Sequence, residues 1–172
     1  MMPKPTRLML LVVGVAAVTS SIALHSAAGA PSEGNSFEAT FVESRASTTD
    51  RVADLGVFQF VNTGAGTVEG YGAATVVLAM SQDRTVQPCG AGSWTNAGIR
   101  RIVLDGGVLV LRALAFVCQT SAGPHAEGTW TVDGSSSTGV FADARGSGEE
   151  SVDIPTRTAT LSGKLKLRGE SD

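Results

Sequence analysis

Residues 99–119 read IRRIVLDGGVLVLRALAFVCQ, and the division of that stretch decides the fold. Residues 99–104 and 108–119 are rich in β-branched and aliphatic side chains, so each reads as a strand. Asp105-Gly106-Gly107 between them makes a hairpin turn, because aspartate and glycine tolerate the positive φ that tight hairpins require. Side chains of a strand alternate, so Val108, Val110, Arg112, Leu114, Phe116 and Cys118 share one face. Leu109, Leu111, Ala113, Ala115 and Val117 share the other. Both faces are apolar, so this strand is expected to be covered on both sides. One side would be a barrel interior. The other would be an inter-subunit contact or a covering loop such as residues 89–98.

The same texture extends in both directions. Residues 36–43, 52–61, 67–80, 126–132, 139–144 and 157–167 read as further strands, with Asn62-Thr63-Gly64-Ala65-Gly66 as a glycine turn. Nothing after Pro31 has the period of an amphipathic helix. About eight short strands without a covering helix predict an all-β domain, an antiparallel barrel or sandwich. Gly70, Gly72, Gly128 and Gly163 fall inside predicted strands, where glycine allows the sharp bends of a small barrel. The expectation is therefore a single antiparallel β-barrel over residues 36–168, with a short lead at 31–35 and a tail at 169–172.

The first thirty residues have a different character. Lys4 and Arg7 precede an unbroken apolar run at residues 8–18, and small residues lead to Ala28-Gly29-Ala30. That is the layout of a secretory signal peptide cleaved after Ala30. The run is too short for a spanning helix, which needs roughly 20 apolar residues. An exported protein without stable membrane association after cleavage is expected. The chain has 172 residues and a formal net charge of −3. Beyond Ala30, eleven basic residues face sixteen acidic ones. Such a surface repels phosphate backbones and anionic lipid, so nucleic acid is not an expected partner. Cys89 and Cys118 are the only cysteines, and an even count in an exported chain reads as a disulfide.

Arg112 is the one charge in residues 108–118, and its apolar neighbours argue for burial. A buried guanidinium needs a carboxylate, since an unpaired one costs several kcal/mol. Glu69 and Glu127 are the candidate partners: Glu69 shares a face with Tyr71, and Glu127 with His125, Thr129 and Thr131. On one reading, Arg112, Glu127, Glu69 and Tyr71 form an interior polar cluster that orients a ligand. On the plainer reading, Arg112 makes a structural ion pair or snorkels to the barrel rim. Arg100 and Arg101 take opposite faces of their strand, so at least one is solvated. Trp94 and Trp130 either stack on a flat ligand or plug one end of the barrel. Glu149-Glu150 reads as a solvated charge pair in a loop.

Catalytic chemistry finds little support. His125 is the only histidine beyond the leader, too few for a His-rich zinc site, and no metal or other cofactor is expected. There is neither a G-x-S-x-G elbow nor a glycine-rich loop followed by Lys-Ser/Thr. No catalytic residue is assigned.

Residues 138–148, TGVFADARGSG, carry a resemblance. The run is similar to one found in the allene oxide cyclase barrel-like group of exported bacterial proteins, which are related to the plant dirigent proteins. Residues 53–58, ADLGVF, stand where that group often has a His-Leu-Gly-Arg-Phe-like strand, with Asp54 and Val57 at the histidine and arginine positions. The resemblance implies an eight-stranded calycin-like barrel, often oligomeric in the plant relatives. In the run itself, Gly139, Gly146 and Gly148 would permit tight turns while Phe141 and Ala144 anchor inside. The plant cyclase binds an unstable fatty-acid epoxide in an apolar cavity and steers its ring closure.

Three functions are open on this reading. The favoured one is a secreted barrel that binds a small hydrophobic ligand. The alternatives are a cofactor-independent cyclase or isomerase, and a non-catalytic interaction protein with a filled barrel, its outer face at residues 108–117 joining copies into a homo-oligomer. The interior separates them. Phe37, Phe41, Phe58, Phe60 and Phe116 would fill it, whereas alanines and glycines would leave it open.

Overall fold

The computed structural model describes residues 34–52 and 56–170. The leader, its cleavage site and Asp54 lie outside the described residues. Among the described residues nine strands follow one another: β1 (Asn35–Val52), β2 (Val57–Val68), β3 (Gly72–Asp83), β4 (Trp94–Leu104), β5 (Gly107–Thr120), β6 (Gly123–Val132), β7 (Thr138–Gly139), β8 (Arg145–Asp153) and β9 (Thr158–Lys166). Eight of them pair antiparallel in the circular order β1-β2-β3-β4-β5-β6-β8-β9 and back to β1, which closes a barrel. The two-residue β7 pairs with the start of β5 outside that ring. Among the described residues no helix is long and apolar enough to cross a membrane.

The hairpin that decides the fold forms as its sequence dictates. Leu104 pairs with Gly107, and Gly106 takes a φ of 90° in the two-residue turn between them. Elsewhere the boundaries move. Residues 62–66 are strand rather than turn, and the chain reverses at Glu69-Gly70-Tyr71 instead. Gly64 and Gly66 sit opposite Glu43 and Phe41, where a Cβ would run into the carbonyls of Val42 and Thr40. Their glycine character serves close approach of β1 and not reversal. Residues 140–144 are turn rather than strand, and β8 occupies residues 145–153, where a loop was expected. In β8 the inward positions are Gly146, Gly148, Glu150 and Val152, so the usual apolar alternation is nearly invisible.

One half of the barrel is filled. Trp130 on β6 pairs with Gly148 on β8, which pairs with Gly163 on β9, which pairs with Phe37 on β1. The indole lies over the two glycines and meets Phe37 edge-on, with ring centroids 5.2 Å apart at 65°. Its Nε1 donates to the Glu149 carbonyl at 2.9 Å. Ile102, Leu109, Leu111, Leu161 and Leu165 belong to the same buried cluster. Residues 133–144 then fold under the same end, where Phe141 and Ala144 are buried and Tyr71 packs on Phe141 at 5.3 Å. Gly139 takes a φ of 64° there, but Gly146 and Gly148 lie inside β8 and turn nothing.

A loop covers part of the outer side of β5. Residues 133–137 lie against it, the Val110 amide donating to Ser137 Oγ at 3.0 Å and the Asp133 amide to the Val110 carbonyl at 2.8 Å. Residues 89–93 meet this strand only at its end, where Cys89 bonds Cys118 and Gln119 Nε2 donates to the Gly92 carbonyl at 3.0 Å. Leu114 and Phe116 stay on the exposed wall beside Ile99 of β4, so Phe116 is no part of the interior. The Cys89–Cys118 disulfide forms, tying the loop before β4 to the end of β5.

Two stability measurements test this arrangement. Gly163→Ala sets a methyl about 2.6 Å from both the Trp130 ring and the Gly148 Cα, and is expected to cost about 1–3 kcal/mol in urea unfolding. A change within 0.5 kcal/mol would contradict the packing described. Removing the disulfide, which spans 29 positions of sequence, is expected to cost about 3 kcal/mol through loop closure in the unfolded chain.

Candidate functional site

Alternation along β4 puts Arg101 outside and Arg100 inside, between Leu78 of β3 and Leu111 of β5. Arg100 is 1% exposed, and a guanidinium keeps its charge at any physiological pH. Two carboxylates answer it from distant strands. Arg100 Nη1 stands 2.9 Å from Glu43 Oε1 on β1, and Nη2 donates to Glu150 Oε2 on β8 at 3.1 Å. Glu43 and Glu150 are themselves buried. Burial pushes the Glu150 carboxyl above its ordinary proton affinity; Arg100 opposes the shift and Glu43 adds to it.

The cluster is incompletely satisfied from within. Arg100 Nε and Nη1, Glu43 Oε1, Glu150 Oε1 and Asn96 Oδ1 are buried without a hydrogen-bond partner, since the 2.9 Å contact to Glu43 lacks hydrogen-bond alignment. Such groups cost about 1–3 kcal/mol each when left unmet. They border a cavity of about 230 Å³ at the end of the barrel opposite the Phe141 plug. Its apolar wall includes Phe60, Leu78, Met80, Trp94, Val152 and Ile154. Arg45 and Arg157 stand among the pocket residues as well, both exposed. Arg45 lies over the Phe60 ring at 3.7 Å and donates from Nε to Asn62 Oδ1 at 2.9 Å. The disulfide joins the loop before Trp94 to the strand end beside this opening.

The site expected from Arg112, Glu127, Glu69 and Tyr71 is not brought together. Arg112 points outward with its side chain 65% exposed and bonds Asp133 Oδ2 at 2.6 Å. Asp133 also accepts from Ser135, and these hydrogen bonds hold its carboxyl below the usual range. Glu69 is exposed at the β2–β3 turn, and Tyr71 belongs to the plugged end. Glu127 is outward and exposed, with His125 at 2.6 Å. The faces of β5 were grouped correctly, but with both faces apolar the inner one could not be chosen from that strand alone. The plainer reading of Arg112, a structural ion pair, describes its contacts. For Trp130 the plugging role holds, while Trp94 lines the pocket.

Glu43 was missed, and Glu150, expected as half of a solvated charge pair in a loop, is instead buried inside β8. Glu43 continues the inward series Phe37, Ala39, Phe41, so the period of two pointed to it. Glu150 carried only the weak alternation with Val152. One further constellation resembles a relay without being one: Ser151 Oγ and Glu127 Oε1 both approach His125 Nε2, at 3.1 and 2.6 Å. A nucleophilic triad needs acid and hydroxyl on opposite ring nitrogens.

Because Glu150 binds its proton more tightly folded than unfolded, its stabilising effect is complete below about pH 4.5 and is lost as pH rises towards its folded value. Glu150→Gln, which stays neutral, is expected to remove that loss. The stability difference between variant and parent should grow with pH from about 4.5 upward, by no more than about 1.4 kcal/mol per pH unit, and then level off. Thermal unfolding from pH 4 to 8 measures it, and a flat difference would contradict the assignment. Comparison with protein-family models, with curated proteins and with solved structures found no match to this chain.

Proposed function

We propose that this chain is an exported β-barrel protein that binds a small, largely hydrophobic ligand in the pocket above Arg100. The observation that carries the reading is an apolar-walled cavity of about 230 Å³ whose floor holds buried polar atoms without partners. A concave apolar site with a few convergent polar groups is the usual form of a small-molecule site. Export is supported by the leader pattern of residues 1–30 and by a disulfide, which persists in oxidising compartments. Kinship with the allene oxide cyclase barrel-like group stays part of the proposal, and it rests on residues 138–148 of the sequence.

The raised proton affinity of Glu150 favours a second reading, a cofactor-independent cyclase or isomerase. In that case Glu150 would supply a proton, or Glu43 would stabilise positive charge developing on the substrate. A filled barrel describes only the half around Trp130.

Native mass spectrometry of protein purified from the medium without refolding tests the binding reading. A small-molecule adduct on a chain beginning at Pro31 is expected. Ala126→Leu, which adds bulk to the pocket wall, should fold and lose the adduct. No adduct on the parent protein, together with no small apolar probe taken up in titration, would overturn the reading.

A further inference from the structure

The floor and the opening of the pocket make different chemical demands, and together they specify a class of ligand. At the floor, Glu150 Oε1, Asn96 Oδ1 and Arg100 Nε have no hydrogen-bond partner, while Arg100 Nη1 and Glu43 Oε1 meet each other as an ion pair. A carboxylate entering here would satisfy the guanidinium but face two carboxyl groups already paired to it. An ammonium group would satisfy the acceptors but face Arg100 itself. A hydroxyl meets both demands, donating to a carboxylate oxygen and accepting from the guanidinium, and brings no charge.

The charges nearer the opening differ. Among the described residues lining the pocket the only carboxylates are Glu43 and Glu150, whereas Arg45 and Arg157 add two exposed guanidinium groups. Arg45 is held in place by Phe60 and Asn62. Arg157 sits in the β8–β9 turn with a φ of 62°, its amide donating to the Ile154 carbonyl at 3.3 Å. The cavity of about 230 Å³ compares with the ~150 Å³ that holds a benzene molecule, which leaves room for one or two rings between floor and opening.

Resting on the binding reading above, we propose that the pocket selects a small amphipathic molecule with an uncharged hydroxyl at its inner end and an anionic group at its outer end. The hydroxyl bridges Arg100 and a floor carboxylate. The apolar body lies against Phe60, Leu78, Met80 and Trp94. The anion meets Arg45 and Arg157.

The test is a fluorescence titration of the disulfide-intact protein with four probes of one shape: 6-hydroxy-2-naphthoate, 6-methoxy-2-naphthoate, 2-naphthoate and 2-naphthol. The hydroxy acid is expected to bind about tenfold more tightly than the methoxy acid, which accepts but cannot donate, and than the unsubstituted acid. It should also bind severalfold more tightly than 2-naphthol, which lacks the anion. Arg157→Gln should weaken the hydroxy acid more than 2-naphthol. Equal affinities for the hydroxy and methoxy acids would overturn the inner half of the proposal while the pocket stood. Equal affinities for the hydroxy acid and 2-naphthol, or no differential effect of Arg157→Gln, would overturn the outer half. Failure of all four probes to bind would count against the binding reading itself.

Discussion

Arg100 imposes the constraint around which the interior is arranged. Its charge cannot be given up, and inside a barrel it cannot reach bulk water, so carboxylates must come to it. Glu43 and Glu150 arrive from β1 and β8, strands far from β4 in sequence, and the three side chains meet across the lumen. Breaking a buried pair of this kind typically costs about 3–5 kcal/mol, because the remaining charge is stranded. The same groups that join three strands also line the pocket.

The two ends of the barrel divide the remaining labour. At one end a large indole occupies the room that Gly148 and Gly163 leave, and Phe37, Phe41 and Phe141 pack that half solid. At the other end the strands run up to the Cys89–Cys118 bridge and the β8–β9 turn with smaller inward residues, Ala115 and Ala126 among them. The packed half gives the sheet something to close upon. The other half can then remain open without loss of the fold.

Much of the barrel was legible because its strongest signals are local. The Asp105-Gly106 reversal and the disulfide need only neighbouring residues or a count of two. The site was less legible because it depends on which face of each strand turns inward. On β5 both faces are apolar, so the eye goes to Arg112, whose partner is Asp133 at the base of a loop. On β4 the inward series Arg100, Ile102, Leu104 carries a charge, yet its burial becomes evident only when Glu43 and Glu150 are brought opposite. Residues 145–153 hid a strand because glycine and polar groups replace the apolar residues of its inner face. Their absence follows from Trp130, which fills that space from the neighbouring strand β6.

Closure also limits how the outer wall can meet another molecule. Ile99, Leu114 and Phe116 are each more than 40% exposed on adjoining strands whose backbone groups already pair on both sides. There is no free border at this wall for strand addition, the step from which fibrils grow. Association through it would rest on side-chain contact alone. It would strengthen in the presence of excluded salts such as sulfate and loosen on cooling, as contacts driven by water do.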